Sequence, residues 1–263
     1  MQTRVGVSDG PTEAESGLVI ERRFTSVGED PFDLFQWIEM DVEIRNPDGS
    51  MADSIEGVKL PSGFSGVPGK VCAQKYLRKA GVPRLLRKVP EDGVPVWLQR
   101  SEPDHERLQT IDAAQRMGGE NDGRDLFRRL AGTWTYWGWK YGYFASEADA
   151  RAYFDEMCYL IASQRSAPNS PQWFNTGLHW AYGIEGPAQG HSYVDPLTGS
   201  LAYSTNAYEH PQPHACFIQS VSDSLVGGPD SIMGLWSREA LLFKYGSGTG
   251  SNFSNIRGFG EPL

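Results

Sequence analysis

The chain has 263 residues, enough for one large domain or two small ones with a sizeable core. Its net charge of -9 leaves no basic excess to displace counterions from DNA or RNA, although a nucleotide needs only a few local cations and backbone N–H groups. Three cysteines (Cys72, Cys158, Cys216) are too few for a secreted disulfide scaffold, the first residues lack an apolar signal core, and no apolar run approaches the ~20 residues that span a bilayer, so a cytoplasmic, non-membrane protein is expected.

In chain order, residues 1–20 are polar and rich in Gly, Ser and Glu, and read as a flexible tail. The stretch VEIRNPDGSM predicts strand, tight turn and strand near 42–53, with Asn46-Pro47-Asp48-Gly49 as the turn. A short helix is predicted over 70–79, after a Pro/Gly loop. A further helix is predicted from about Pro103 to Met117, ended by Gly118-Gly119. The clearest helix begins at Ser146, which forms a capping box with Asp149; Tyr153, Phe154, Met157, Leu160 and Ile161 then recur at steps of three and four. Cys158 lies beside that face and reads as a core residue. Residues 183–214, rich in Gly, Pro, His and Tyr, form a long connection of no defined type.

The last third reads as strand, helix, strand. ACFIQSV predicts a short, mostly buried strand. PDSIMGLWSREALLFKYG predicts a helix with Ile232, Leu235, Trp236, Glu239, Leu242 and Phe243 on one face and Gly246 at its C-terminal cap. SNFSNIRG predicts a second strand ending at Arg257. This order suggests the start of an α/β layer or barrel.

Several residues here have chemical potential, each with a plain structural alternative. Cys216 is a small buried hydrophobe or a reactive thiol. With His210 and His214 it offers three zinc-type ligands, but their spacing matches no standard finger. The run YGSGTGSN (Gly246, Gly248, Gly250) admits a close ligand or is a simple turn. It follows a helix and lacks both the dinucleotide and the Walker A spacing. A carboxylate at Asp223 suits ribose hydroxyls and Arg257 suits phosphates, or both are ordinary surface charges.

The stretches ERRFTSVGEDPFDLFQW, NSPQWFNTGL, ACFIQSVSDS and LLFKYGSGTGSNFSNIRG, in this order, resemble class II ribonucleotide reductases. The resemblance runs from about Glu21 to the last residue and is weakest over 183–214. It implies an α+β / α/β fold: a mainly helical N-terminal domain over 21–165, and the first strand-helix-strand part of a catalytic α/β barrel over 166–263. It also implies reduction of ribonucleotides, diphosphates in particular, for DNA synthesis, with adenosylcobalamin initiating a thiyl radical on one cysteine and two further cysteines supplying electrons. Cys216 resembles the first of that redox pair. Ser170, Ala215, Cys216 and Gly248 resemble substrate contacts. Asp223, Ser224, Leu225 and Arg257 resemble the site of a deoxynucleoside triphosphate effector. Implied partners are a thioredoxin-type or other dithiol reductant, a second copy in a homodimer, and the rest of the reductase, since the radical cysteine, the second redox cysteine and most of the cobalamin site are not in this sequence. The chain is therefore expected to be a truncated, split or deliberately made piece, inactive alone. Two readings from other classes stay beside this one: a non-catalytic nucleotide-binding or interaction module, and a small metal-binding protein.

Overall fold

The structure, a computed structural model, describes residues 17–188 and 190–262. The expected tail lies outside the described residues up to position 16. From there the chain is bound. Leu18 bridges in parallel to Phe144, its N–H donating to the Tyr143 carbonyl at 2.7 Å, and the Ile20 N–H donates to Asp149 Oδ1 at 2.8 Å. Glu156 Oε1 gathers the N–H groups of Arg23, Phe24 and Thr25 and the Thr25 hydroxyl, at 2.7–3.1 Å.

The predicted hairpin is present and longer than expected. Strand β1 (Trp37–Arg45) pairs antiparallel with β2 (Met51–Pro61). The turn is the Asn46–Ser50 segment, with Gly49 at φ +85 and its N–H on the Asn46 carbonyl. The register shifts between Met40 and Val42, where Gly57 (φ +65) is the extra residue of a bulge and donates to Asp41 Oδ1. The helix expected over 70–79 is found as an α-helical turn, Val67–Val71, that widens into a π turn, Cys72–Tyr76.

The helix expected over 103–117 is not formed. Asp104 caps one turn, His105–Leu108, of which only Leu108 is buried, and Asp112 starts a separate 3-10 turn. Without a continuous apolar face the segment has nothing to pack as a longer helix. In contrast, the longest helix went unread in the sequence: α1 (Gly123–Lys140), capped by Asp122. It packs beside α2 (Glu147–Ala162), where the Ser146–Asp149 capping box forms as predicted. Val42, Val58 and Leu60 of the hairpin, Leu126, Phe127 and Leu130 of α1, and Cys158 and Ile161 of α2 share one buried core. Each fully buried aliphatic or Phe side chain contributes about 1.5–3 kcal/mol. Residues 21–165 therefore combine two long helices with a long hairpin.

Two short helices follow, α3 (Ser170–Asn175) and α4 (Leu178–Tyr182), separated by the left-handed Gly177. The 183–214 connection contains a small antiparallel hairpin, β3 (Ser192–Val194) with β4 (Leu201–Tyr203). The chain then forms β5 (Cys216–Ser220), α5 (Ile232–Lys244, N-cap Ser231) and β6 (Gly248–Asn252), with β5 and β6 parallel neighbours. This is the expected strand-helix-strand unit. The second strand starts three residues earlier than expected, within the glycine run, and Arg257 lies beyond it, outside any strand. Strands among the described residues form only two-stranded ladders, so the fold is mixed helix and strand with no closed barrel.

Candidate functional site

The β5–α5–β6 unit has two unlike faces, and the period-2 alternation of a strand assigns residues to them. Phe217 and Gln219 on β5 are half-buried and lie in register with Thr249 and Ser251 on β6. Both hydroxyls donate to Glu239 Oε1 of α5, at 2.9 and 2.8 Å, and Arg238 Nε donates to Gln219 Oε1. The crossover helix therefore covers this face. Cys216, Ile218 and Ser220 point the other way and are exposed, Ile218 by 89%. The strand expected to be mostly buried is thus open on one side, and the sulfur expected in a buried run is accessible.

Cys216 and Gly248 are register partners, and the Gly248 N–H donates to the Ala215 carbonyl at 2.6 Å. A Cβ built on Gly248 would lie 3.4 Å from Cys216 Sγ. The glycine run is neither a loop nor a simple turn: Gly246 (φ +82) ends α5, and Gly248 and Gly250 are strand residues that leave the surface beside the thiol without side chains. Three of the four expected substrate contacts, Ala215, Cys216 and Gly248, are therefore contiguous.

Ser170 is built elsewhere. It is the first residue of α3, and its Oγ lies 3.4 Å from the Tyr76 hydroxyl. Pro171 at the second helical position and Trp173, buried against Tyr76 and Phe127, fix the start of this helix.

Asp223 and Arg257 come together, as the third expected cluster requires. Arg257 Nε meets Asp223 Oδ2 at 2.5 Å, and Nη2 donates to the Asp223 carbonyl at 3.4 Å. The loop between β5 and α5 curls over the helix start. Ser224 and Leu225 carbonyls accept the N–H groups of Ile232 and Met233, and Ser231 Oγ accepts from Gly234. The first-turn donors that an anion would seek are thus taken by the chain itself. The left-handed Gly227 and Gly228 allow this curl.

The other thiols are closed. Burial pushes Cys72 up to about 12, with Glu120 adding to the shift, and burial raises Cys158 well above the ordinary thiol value. The zinc alternative is not carried by the geometry. The His210 ring stacks on Tyr193 at 3.8 Å, that of His214 stacks towards Phe217, and the described residues contain no group of three or more His, Cys, Asp or Glu that could hold a metal ion. A cavity of about 800 Å³, walled by Trp134, Trp137, Tyr153, Tyr193 and Phe217 among others, lies on the Phe217 side of β5, away from the Cys216 thiol. Of its histidines, His191 rests Nε2 on the His210 carbonyl and leaves its buried Nδ1 without a hydrogen-bond partner, and the rings of His210 and His214 stack on Tyr193 and Phe217.

Sequence reasoning missed Glu239 as the residue that seats both β6 hydroxyls; its place on the predicted helix face was the available signal.

A family described as class II vitamin B12-dependent ribonucleotide reductase matches residues 39–164, and the ribonucleotide reductase barrel domain matches residues 214–263. The vitamin B12-dependent ribonucleotide reductase of Agrobacterium fabrum is 59% identical over 244 residues, which cover 93% of this chain and 19% of the relative. The corresponding proteins of Bradyrhizobium diazoefficiens and Rhodopirellula baltica are 57% and 41% identical, over 93% and 94% of this chain and 19% and 20% of theirs. The chain spans about a fifth of the length of these curated relatives. On matches that run from the N-terminal body into the strand-helix-strand unit, the chain belongs to the class II, vitamin B12-dependent ribonucleotide reductase family.

Proposed function

We propose that this chain supplies the substrate-side reducing thiol and part of the nucleotide contacts of a reductase that converts ribonucleotides, diphosphates in particular, to deoxyribonucleotides. The observation that carries the reading is the orientation of Cys216: it is exposed, at the head of a parallel strand, on the face opposite the crossover helix. In an α/β barrel the helices ring the outside, so that face is the one turned to the lumen, where a ribose and a second cysteine can meet it. Cys72 and Cys158 are buried and protonated, which leaves Cys216 as the reactive thiol among the three.

In the proposed chemistry Cys216 and a second thiol give up two electrons and two protons and join in an S–S bond. The ribose 2'-carbon–oxygen bond breaks, the oxygen leaves as water, and the carbon gains a hydrogen. A thioredoxin-type or other dithiol restores the pair by exchange. Adenosylcobalamin would supply the initiating radical; the relatives' dependence on vitamin B12 supports cobalamin, and most of its site would lie outside these residues. Ser170, Ala215 and Gly248 would contact the nucleotide. Asp223, Ser224, Leu225 and Arg257 would receive a deoxynucleoside triphosphate effector, at the interface of a homodimer, and the setting would be cytoplasmic. The Asp223–Arg257 pair supports that site, because a carboxylate and a guanidinium at one point can take a ribose hydroxyl and a phosphate.

The test is Cys216→Ser in a complete reductase carrying this segment. Multiple turnover with dithiol should be lost while nucleotide binding and melting temperature persist, since an exposed site changes stability by only about 0.5 kcal/mol. Near-normal multiple turnover overturns the assignment.

A further inference from the structure

The helix that carries Ser170 has six residues, too few to hold itself, and its Asn169 cap makes no side-chain bond. A single buried cation secures it. Arg129, 1% exposed, donates through Nη1 to the Thr176 carbonyl at 2.6 Å and through Nη2 to the Trp173 carbonyl at 3.0 Å, at the C-terminal end of α3 where positive charge is favoured. The same Nη2 donates to the Tyr76 carbonyl at 3.2 Å. Tyr76 stacks on Trp173 with ring centroids 5.1 Å apart, and its hydroxyl is the group beside Ser170 Oγ. The guanidinium thus fixes α3 at its far end directly and at Ser170 through Tyr76.

Glu120 neutralises Arg129, with Oε1 2.7 Å from Nε, and is itself held by the Arg78 N–H and the Tyr182 hydroxyl at 2.7 Å each. The fit allows little slack: a Cβ at Gly177 would come within 2.3 Å of the Arg129 carbonyl oxygen. Burying two charges costs several kcal/mol per ion, so such a pair is a poor device for stability alone, whereas a planar fork reaching three carbonyls on two segments is well made for setting a geometry.

We infer that Arg129, held by Glu120, is a positioning residue for nucleotide binding, acting on Ser170 without touching the ligand. The inference rests on the reading of Ser170 as a substrate contact. In a complete reductase carrying this segment, Arg129→Lys should raise KM for the ribonucleotide roughly tenfold with kcat little changed. The same substitution in a Ser170→Ala background should add almost nothing to KM, because the contact it positions is already gone. Should Arg129→Lys fail to fold, Tyr76→Phe removes only the hydroxyl beside Ser170, keeps the ring stack, and should show the same raised KM and the same non-additivity. In this chain, amide exchange of residues 173–176 should quicken roughly tenfold in Arg129→Lys while the β1–β2 ladder is unchanged. Effects of the two substitutions on KM that multiply independently overturn the positioning role alone. An unchanged KM in Ser170→Ala overturns the substrate-contact reading and this inference with it.

Discussion

Cys216 and Gly248 face each other across a parallel ladder, with no side chain on Gly248 to stand against the sulfur. The thiol is therefore shielded on this side by backbone alone. At pH 8, one equivalent of a small alkylating reagent should react fast at Cys216, and Cys72 and Cys158 should react only after unfolding, because burial holds both thiols protonated. Mass mapping of the modified peptides checks this. Gly248→Val should slow the Cys216 reaction with little change in the other two; fast labelling of Cys72 in folded protein would show that the core is not closed as described.

Arg257 and Asp223 neutralise each other in this structure. A phosphate arriving at Arg257 has to share or displace that carboxylate. In a complete reductase, Arg257→Ala should weaken effector binding by about 1.5–3 kcal/mol, the range for a charged hydrogen bond. Asp223→Asn should weaken it less than Arg257→Ala does. Equilibrium binding of each deoxynucleoside triphosphate measures both, and unchanged affinity in Arg257→Ala removes the effector role.

Glu156 gives the N-terminal segment a pH dependence. Burial alone would raise its carboxyl, but the donated bonds from Phe24, Thr25 and Arg23 outweigh burial and hold it below the ordinary value of 4.5. A carboxyl depressed in the folded state adds stability that is present above its unfolded value and is lost as pH falls through the folded one. The amide signals of Phe24 and Thr25 should therefore stay in their folded positions down to pH 4.5 and move below it. Glu156→Gln should remove that pH dependence and loosen the docking at every pH, with a loss of about 1.5–3 kcal/mol.

Gly132 lies under Trp180: a Cβ there would come within 2.2 Å of the indole ring, whose Nε1 donates to the Leu98 carbonyl. Gly132→Ala, normally favourable inside a helix, should instead destabilise the chain by about 1–3 kcal/mol. Denaturant unfolding measures this, and a stabilised variant would mean that the ring moves aside freely.

The same glycine shows why α1 was illegible. Its sequence, GRDLFRRLAGTWTYWGWK, carries three glycines and two threonines, poor helix formers that the neighbouring segments require: Gly123 meets Leu60, Gly132 meets Trp180, and Gly138 meets Phe144. Its Asp122 cap and the spacing of Leu126, Phe127, Leu130 and Trp134 were there to be read, but packing rather than propensity decides this helix. The β5–α5–β6 unit was legible because each part announces itself locally, from the Ser231 cap to the left-handed Gly246. The exposure of β5 was not, since an apolar strand reads the same whether or not a neighbour covers it. Cys216, Gly248, Asp223 and Arg257 were found through resemblance, and their pairings follow from the crossover. Arg129 gave no signal, because its three carbonyl partners belong to segments far away in sequence.

The ties between the N-terminal segment and α2 join residues 129 to 133 positions apart. Contacts of that separation give the domain a high local contact order, and they cannot form until most of it has been made. At a synthesis rate of about 5–20 residues per second, residues 20–25 wait roughly 6–26 s for the helix that receives them. The segment joins an apolar start, Leu18 to Ile20, to the charged run Glu21, Arg22 and Arg23 ahead of Phe24. Its docking, through hydrogen bonds gathered on one carboxylate, makes it a late clasp on a core that can form before it arrives.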